Sequence, residues 1–309
     1  MHFRARQQLS DGVKGVTSRL DFRRRSLGVL APRVVVIGQL LTSGNYAHDG
    51  LRELPSDEVA ELVTALGKYL LARNAGVSAI LLKDLWPEDH PVAASLQARQ
   101  YLPLPSEPVF RLDLRPFTSY PDYLAALTSK YRVRYRRARA KAEGLTVRPL
   151  PLAEVDRRLD RLYALYQLTR VTADVNLTEL TPSYLRWLGE IGCVKGYFDA
   201  ERLIGFTSLL PNGPVWQAHF LGMEAAYKTS HHLYHNMLYD LLADSLTGGA
   251  DELDLGRTAP EIKSSLGACP FFYGNLVFAR SPVLRWILPA FVPAFFRQPE
   301  WQPRHPFRG

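Results

Sequence analysis

Apolar and polar positions change period repeatedly along this chain of 309 residues. From position 33 onward, short apolar runs alternate with stretches whose apolar residues recur every three or four positions, which predicts an α/β architecture with a mixed sheet. The run 34–41 reads as a strand, and Ser56, with Asp57 and Glu58 behind it, opens a helix with apolar positions at Val59, Leu62, Val63, Leu66 and Leu70. A strand at 77–82, a helix at 92–99 and a strand at 109–114 complete a first lobe. Ser119-Tyr-Pro-Asp then opens one long helix that Gly144 ends, with an apolar stripe of Leu124, Leu127, Tyr131, Tyr135, Ala138 and Ala142.

The second lobe begins with a strand at 145–149, a helix at 152–172 and a helix from Thr181-Pro182 to Gly192. Three antiparallel strands are expected at 194–198, 203–210 and 215–221, joined by tight turns. A helix at 231–245, a strand at 252–255, a short helix at 260–266 and a strand at 271–279 close it. The domain boundaries that follow are 1–115, 116–282 and a tail at 283–309.

Composition changes this picture little, but the position of charge changes it more. The two cysteines, Cys193 and Cys269, are far apart, so neither a disulfide framework nor a cysteine-based zinc site is expected, and a reducing cytoplasm fits. The net charge of +8 is concentrated in residues 1–33, at +6, and 119–143, at +5, leaving the remainder mildly acidic. Such patches are either solvated faces or sites for an anionic partner: a phosphate-bearing ligand, a lipid headgroup or RNA. The run 286–296, interrupted by Pro289 and Pro293, is too short to span a bilayer. Flanked by Arg280, Arg285, Arg297, Arg304 and Arg308, it either packs as core or lies on an anionic membrane surface. No Walker A, GxGxxG or GxSxG pattern occurs.

The order of the second lobe resembles the GNAT acyltransferase fold, and three phrases carry the likeness further. FTSYPDYLAALTSKYRVRYRRARAKAEG resembles the basic helix opening the second lobe of FemAB-like and BioF2-like acyltransferases, and YFDAERLIGF resembles their central hairpin. DLGRTAPEIKSSLGA, from Asp254 to Ala268, resembles their closing motif, which has a glycine after the strand and a lysine in the next helix. The resemblance implies two tandem GNAT-like lobes, the first abbreviated, and acyl-CoA as co-substrate. One departure is plain. Where acyl-CoA users carry a glycine-rich turn for the pyrophosphate, this chain reads Tyr227-Lys-Thr-Ser-His-His232, as Fem-like users of aminoacyl-tRNA also lack the standard turn.

Candidate chemistry follows from the second lobe. Acyl transfer to an amine needs a base and oriented donors. Strand alternation puts Gln217 and His219 on one face, with Trp216, Ala218 and Phe220 on the other. His219 is the leading base and Glu224, just beyond the strand, its competitor. Asp254 needs a partner, for which Arg257 or Lys263 serves; it is either half of a buried ion pair or a direct substrate contact. Lys263 matches the family's lysine. Lys228, Thr229, Ser230 and His231 are expected to hold the cofactor's phosphates, and Gln217, Tyr227 and Arg257 the acceptor. His231 and His235 stand one turn apart without the glutamate of HExxH or a third ligand, so no metal is expected.

These readings converge on a cytoplasmic N-acyltransferase, peripheral to the inner face of the membrane, acting on an amino sugar, amino acid, peptide or lipid amine. The alternatives are a Fem-like aminoacyl transferase, whose basic helix at 130–141 holds tRNA, and a non-catalytic protein that binds membrane or nucleic acid.

Overall fold

The computed structural model describes residues 33–44, 53–171, 179–295 and 301–307, so the basic stretch 1–33 lies outside the described residues except for Arg33. The described residues of 1–108 and 272–299 form one compact unit, and those of 109–271 and 300–309 form another.

The first unit holds β1 (Arg33–Ile37), β2 (Val77–Leu85), β3 (Leu102–Leu104) and, from far along the chain, β11 (Gly274–Ala279). Their order is β1–β2–β11–β3, with β1 parallel to β2 and β11 antiparallel to both its neighbours. Helices α1 (Ser56–Arg73) and α2 (His90–Ala98) supply Val59, Ala60, Val63, Leu71 and Leu96 to a core with Ile80, Leu82 and Tyr101. Each valine, leucine or isoleucine among them contributes about 1.5–3 kcal/mol by leaving water.

The second unit is built on seven strands: β4 (Val109–Asp113), β5 (Leu145–Pro149), β6 (Val194–Asp199), β7 (Arg202–Leu210), β8 (Val215–Met223), β9 (Glu252–Asp254) and β10 (Cys269–Phe271). They run β10–β4–β9–β8–β7–β6–β5, antiparallel throughout except for the parallel pair β8/β9. Connecting helices are α3 (Tyr120–Ala126), α4 (Ser129–Lys141), α5 (Leu152–Arg157), α6 (Leu159–Val171), α7 (Pro182–Glu190), α8 (Ala225–Ser230), α9 (Leu233–Thr247) and α10 (Pro260–Ser264). Leu238, Tyr239, Leu241 and Leu242 of α9 bury one face of the sheet together with Leu253 and the partly buried Trp216 and Ala218. On the other face α6 comes so close to β8 that a Cβ on Gly222 would lie 2.6 Å from the backbone of Leu165 and Tyr166.

The structure departs from the sequence pattern in several places, and the strand expected at 109–114 to complete the first lobe is β4 of the second unit. The long helix expected from Ser119 is two helices, because Leu127 pairs with Phe307 as an isolated bridge and the Thr128 N–H donates to Pro306 at 2.8 Å, taking that backbone out of the helix. The helix expected at 152–172 breaks at Arg158, whose φ is −111°. The strand expected at 271–279 is two strands in different sheets, with β10 beside β4 and β11 beside β2. The stretch 283–309 is likewise divided: α11 (Pro282–Phe295) packs beside β11 and β3, whereas Trp301 and Phe307 pack on the core of the second unit.

Candidate active site

The parallel pair β8/β9 comes apart at its centre. Pairing runs Val215↔Glu252, Trp216↔Leu253, Gln217↔Asp254 and then ends, while β8 continues to Met223 and the chain beyond β9 turns away at Gly256, whose φ is +75°. Among the described residues the β9 side of β8 therefore has no strand partner from Ala218 onward. Just there β8 carries a bulge: Thr207 faces Leu221 and Leu209 faces Ala218, so Ser208 alone opposes both His219 and Phe220. The Ser208 hydroxyl replaces the missing ladder, accepting the Phe220 N–H and donating to its carbonyl, each at 2.9 Å.

The bulge cancels the alternation expected from sequence. His219 and Phe220 both lie against Tyr184 of α7, with ring centroids 5.8 and 6.3 Å away. His219 Nε2 makes a 2.7 Å hydrogen bond with the Tyr184 hydroxyl. Burial pushes His219 down to about 4 and raises Tyr184. The pair is consequently neutral at pH 7, and an imidazole of such low basicity is a weak base.

Asp254 and Lys263 sit at the point of separation, each 2% exposed. Arg111 on β4, Asp254 on β9 and Gln217 on β8 are register neighbours and share one face. The Asp254 Oδ1 accepts the Gly256 N–H at 2.7 Å; Oδ2 has no hydrogen-bond partner among the described residues. Burial raises its pKa, opposed by the Gly256 bond and by the charges of Arg111, Lys263 and Arg257. Lys263, on α10, is pushed down to about 7 by burial, with the Asp254 charge opposing. Of the two partners expected for Asp254, Lys263 makes no contact with it at ion-pair distance among the described residues, while the charge of Arg257 acts on it. The β9–α10 turn is held instead by the Asp254–Gly256 bond.

Glu224 stands apart from this cluster. Its carboxylate is engaged by Arg161 and, at 2.7 and 2.8 Å, by Arg202, so it clamps α6 to the start of β7. Tyr227 is also elsewhere, donating to Asp199 Oδ2 at 2.5 Å with its ring 4.8 Å from His231.

Lys228, Thr229 and Ser230 end the short α8 and do not begin the following helix. His231 Nδ1 lies 2.8 Å from the Ser230 hydroxyl, and His232, with φ +47°, leads into α9. Around this N-terminus cations crowd. Burial and the charges of Lys141 and Arg134 on α4 depress His232, while burial, His232, Arg134 and Lys228 push His235 down to about 4. Neither Arg134, Lys141 nor Lys228 has an acidic partner at ion-pair distance among the described residues. Cations gathered at the positive end of a helix repel one another and attract an anion.

No family model and no curated protein sequence matches the chain. Solved structures do match it. A structure of FemX superposes with a TM-score of 0.54 at 11% identity, covering 83% of both chains. The C-terminal DUF2156 domain of a protein assigned as a lysylphosphatidylglycerol synthetase from Agrobacterium fabrum gives 0.50 at 13% identity, over 77% of this chain and 79% of that one. A conserved protein of unknown function from Bacteroides thetaiotaomicron VPI-5482 gives 0.50 at 11% identity, over 71% and 74%. The fold is the one shared with FemX and with that DUF2156 domain.

Within this fold the structure joins features that lie far apart in sequence. Asp254, Lys263 and Gln217 come together at the β8/β9 separation, with Arg257 close enough for its charge to act on Asp254. Lys228 meets Arg134 and Lys141, which the sequence offered only as part of a separate basic patch. Tyr184 was missed because it sits on an amphipathic helix and nothing local marks it as the partner of His219. The His219 assignment is open to direct test. Its imidazole, followed by NMR, is expected to stay neutral down to about pH 5, whereas titration near 6.5 would show that Tyr184 and the surrounding rings do not exclude water from it.

Proposed function

We propose that the protein is an acyltransferase that moves an acyl group from a CoA or carrier thioester to a primary amine at the β8/β9 separation. The observation that carries this reading is the buried, unpaired Asp254 Oδ2 beside a lysine poised near neutrality. Asp254 Oδ2 accepts an N–H of the incoming ammonium, and neutral Lys263 takes its proton. The amine attacks the acyl carbon, the C–N bond forms, and the C–S bond breaks. The Tyr184 hydroxyl, hydrogen-bonded to His219, is a neutral donor for the departing thiolate, and the second proton, which the nitrogen sheds as the amide forms, passes to Tyr184 in its place. Unpaired backbone on the open side of β8 offers N–H groups to the carbonyl oxygen as charge develops there. Phosphates of the donor belong at the N-terminus of α9, among Arg134, Lys141 and Lys228.

A second donor is favoured by one observation: Arg136 and Arg137 extend the exposed cations of α4 beyond what a pyrophosphate needs. That strip suits the phosphates of an aminoacyl-tRNA, and the likeness to FemX and to a lysylphosphatidylglycerol synthetase domain points the same way. Mass spectrometry of ligand retained by the purified protein separates the two, with CoA expected and retained tRNA transferring the assignment to the second donor. In the matching assay Lys263→Met should lower turnover by about a hundredfold or more.

The same substitution has a signature in stability. The folded pKa of Lys263, about 7, lies below the 10.5 of an unfolded lysine, so between those values the unfolded chain binds the extra proton and stability rises with pH. Lys263→Met should remove that rise and stabilise the fold most at low pH. A variant with full activity, or one destabilised at pH 6, would contradict the reading.

The membrane association expected of the tail rests on α11. Among the described residues no helix is long and apolar enough to cross a membrane. Yet Trp286 is 84% exposed and Val283 62%, on a helix without an acidic residue. Arg280 and Arg285, expected to face lipid, are engaged within the first unit: Arg280 caps the carbonyls of Leu71, Asn74 and Val77, and Arg285 bonds Gln100. Attraction to a bilayer interface is therefore apolar in origin. Cosedimentation with liposomes should survive high salt and fall sharply in Trp286→Ser; sedimentation unaffected by that change would exclude α11 as the contact.

A further inference from the structure

We propose that the C-terminal segment 301–307 is a strap that positions Lys263. This rests on the reading of Lys263 as the proton acceptor and adds a determinant remote from it in sequence. Helix α10 has five residues, Pro260–Ser264, too few to be stable alone, and it is entered through Ala259 in the left-handed region at φ +56°. Something outside it must hold it.

The strap does so on both sides of Lys263. The Arg304 N–H donates to Ser264 Oγ at 3.2 Å, and the Arg304 guanidinium pairs with Glu261 at 3.2 Å, so one residue grips α10 at positions three apart. Beyond Arg304 the strap is anchored to the α3–α4 junction by the Thr128 N–H, which donates to Pro306, and by the Leu127↔Phe307 bridge. The Phe307 ring fills the space over Gly267, where a Cβ would lie 2.2 Å from it, and packs 5.4 Å from Phe117 and 5.9 Å from Tyr123. Tyr123 in turn donates to the Leu266 carbonyl at 3.0 Å, just past α10. Trp301 meets Phe110 edge-on at 5.1 Å. The strap thus ties the element bearing Lys263 to the helices and strand that form the core.

The charges around the lysine are accounted for element by element. Asp254 of β9 acts on it directly; Arg111 of β4 and Arg257 of the β9–α10 turn act on Asp254; Glu261 and Arg304 neutralise each other. Loosening the strap lets water reach the amine, and burial is what holds the pKa of Lys263 down. Two substitutions leave every charge in place: Phe307→Ala, which removes the anchor, and Ser264→Ala, which removes the hydroxyl that Arg304 grips.

The test is competitive labelling of Lys263 with acetic anhydride across pH, read by mass spectrometry on the full chain. Wild-type Lys263 should titrate near 7, and each variant should titrate closer to an ordinary lysine, with about a tenfold loss of reactivity at pH 7. Lys263 titrating near 7 in both variants would overturn the strap alone. An ordinary wild-type lysine would overturn the proton-acceptor reading and the strap with it. If Phe307→Ala does not fold, Ser264→Ala decides.

Discussion

Asp254 and Lys263 are buried in the same neighbourhood without touching, and most of the second unit is arranged around that fact. Closing them into an ion pair would satisfy both charges, yet the Asp254 carboxylate spends one oxygen on the Gly256 N–H and keeps the other open. Two such groups in a dry setting are costly, and the cost is limited by letting each drift toward its neutral form: the acid rises and the lysine falls to about 7. A pair that shares a proton easily with a third group is suited to receive an amine. The separation of β8 from β9 leaves the room, because strand pairing stops at Gln217↔Asp254.

A second electrostatic tension lies at the N-terminus of α9. There Arg134, Lys141 and Lys228 act on His232 and His235 without a compensating carboxylate at ion-pair distance among the described residues. An anion relieves that repulsion. The two sites belong to one sheet: the first lies where β9 ends, and the second follows β8 through α8, so both are set by the same two strands. The bulge at His219 lies between them along β8 and brings His219 and Phe220 together against Tyr184.

Much of this was legible in the pattern of residues. The strands from 145 to 255, the glycine after Asp254 and the lysine nine positions on were marked locally, by alternation, by turn chemistry and by the resemblance of that phrase. What could not be read depends on tertiary partners. One extra residue in β8 does not disturb local hydrophobicity, so His219 was placed by strict alternation and Tyr184 went unnoticed. Leu127 and Thr128 fit a continuous helix until Pro306 and Phe307 claim their backbone. The run 271–279 has strand character throughout, and only pairing assigns its two ends to different sheets. Glu224 shows the same limit: its position after the strand suggested a base, and the convergence of Arg161 and Arg202 on it from other elements was not legible.

The account stands on the protonation of one buried amine. The most direct measurement is an NMR titration of the Lys263 side chain in the intact protein, with Lys263→Met to assign the resonance. A midpoint near 7 is predicted, with Asp254→Asn moving it lower because the Asp254 charge, which favours the ammonium, is then gone. A midpoint near 10.5, unmoved by Asp254→Asn, would show that Lys263 is solvated and that the β8/β9 separation does not hold an acid–base centre.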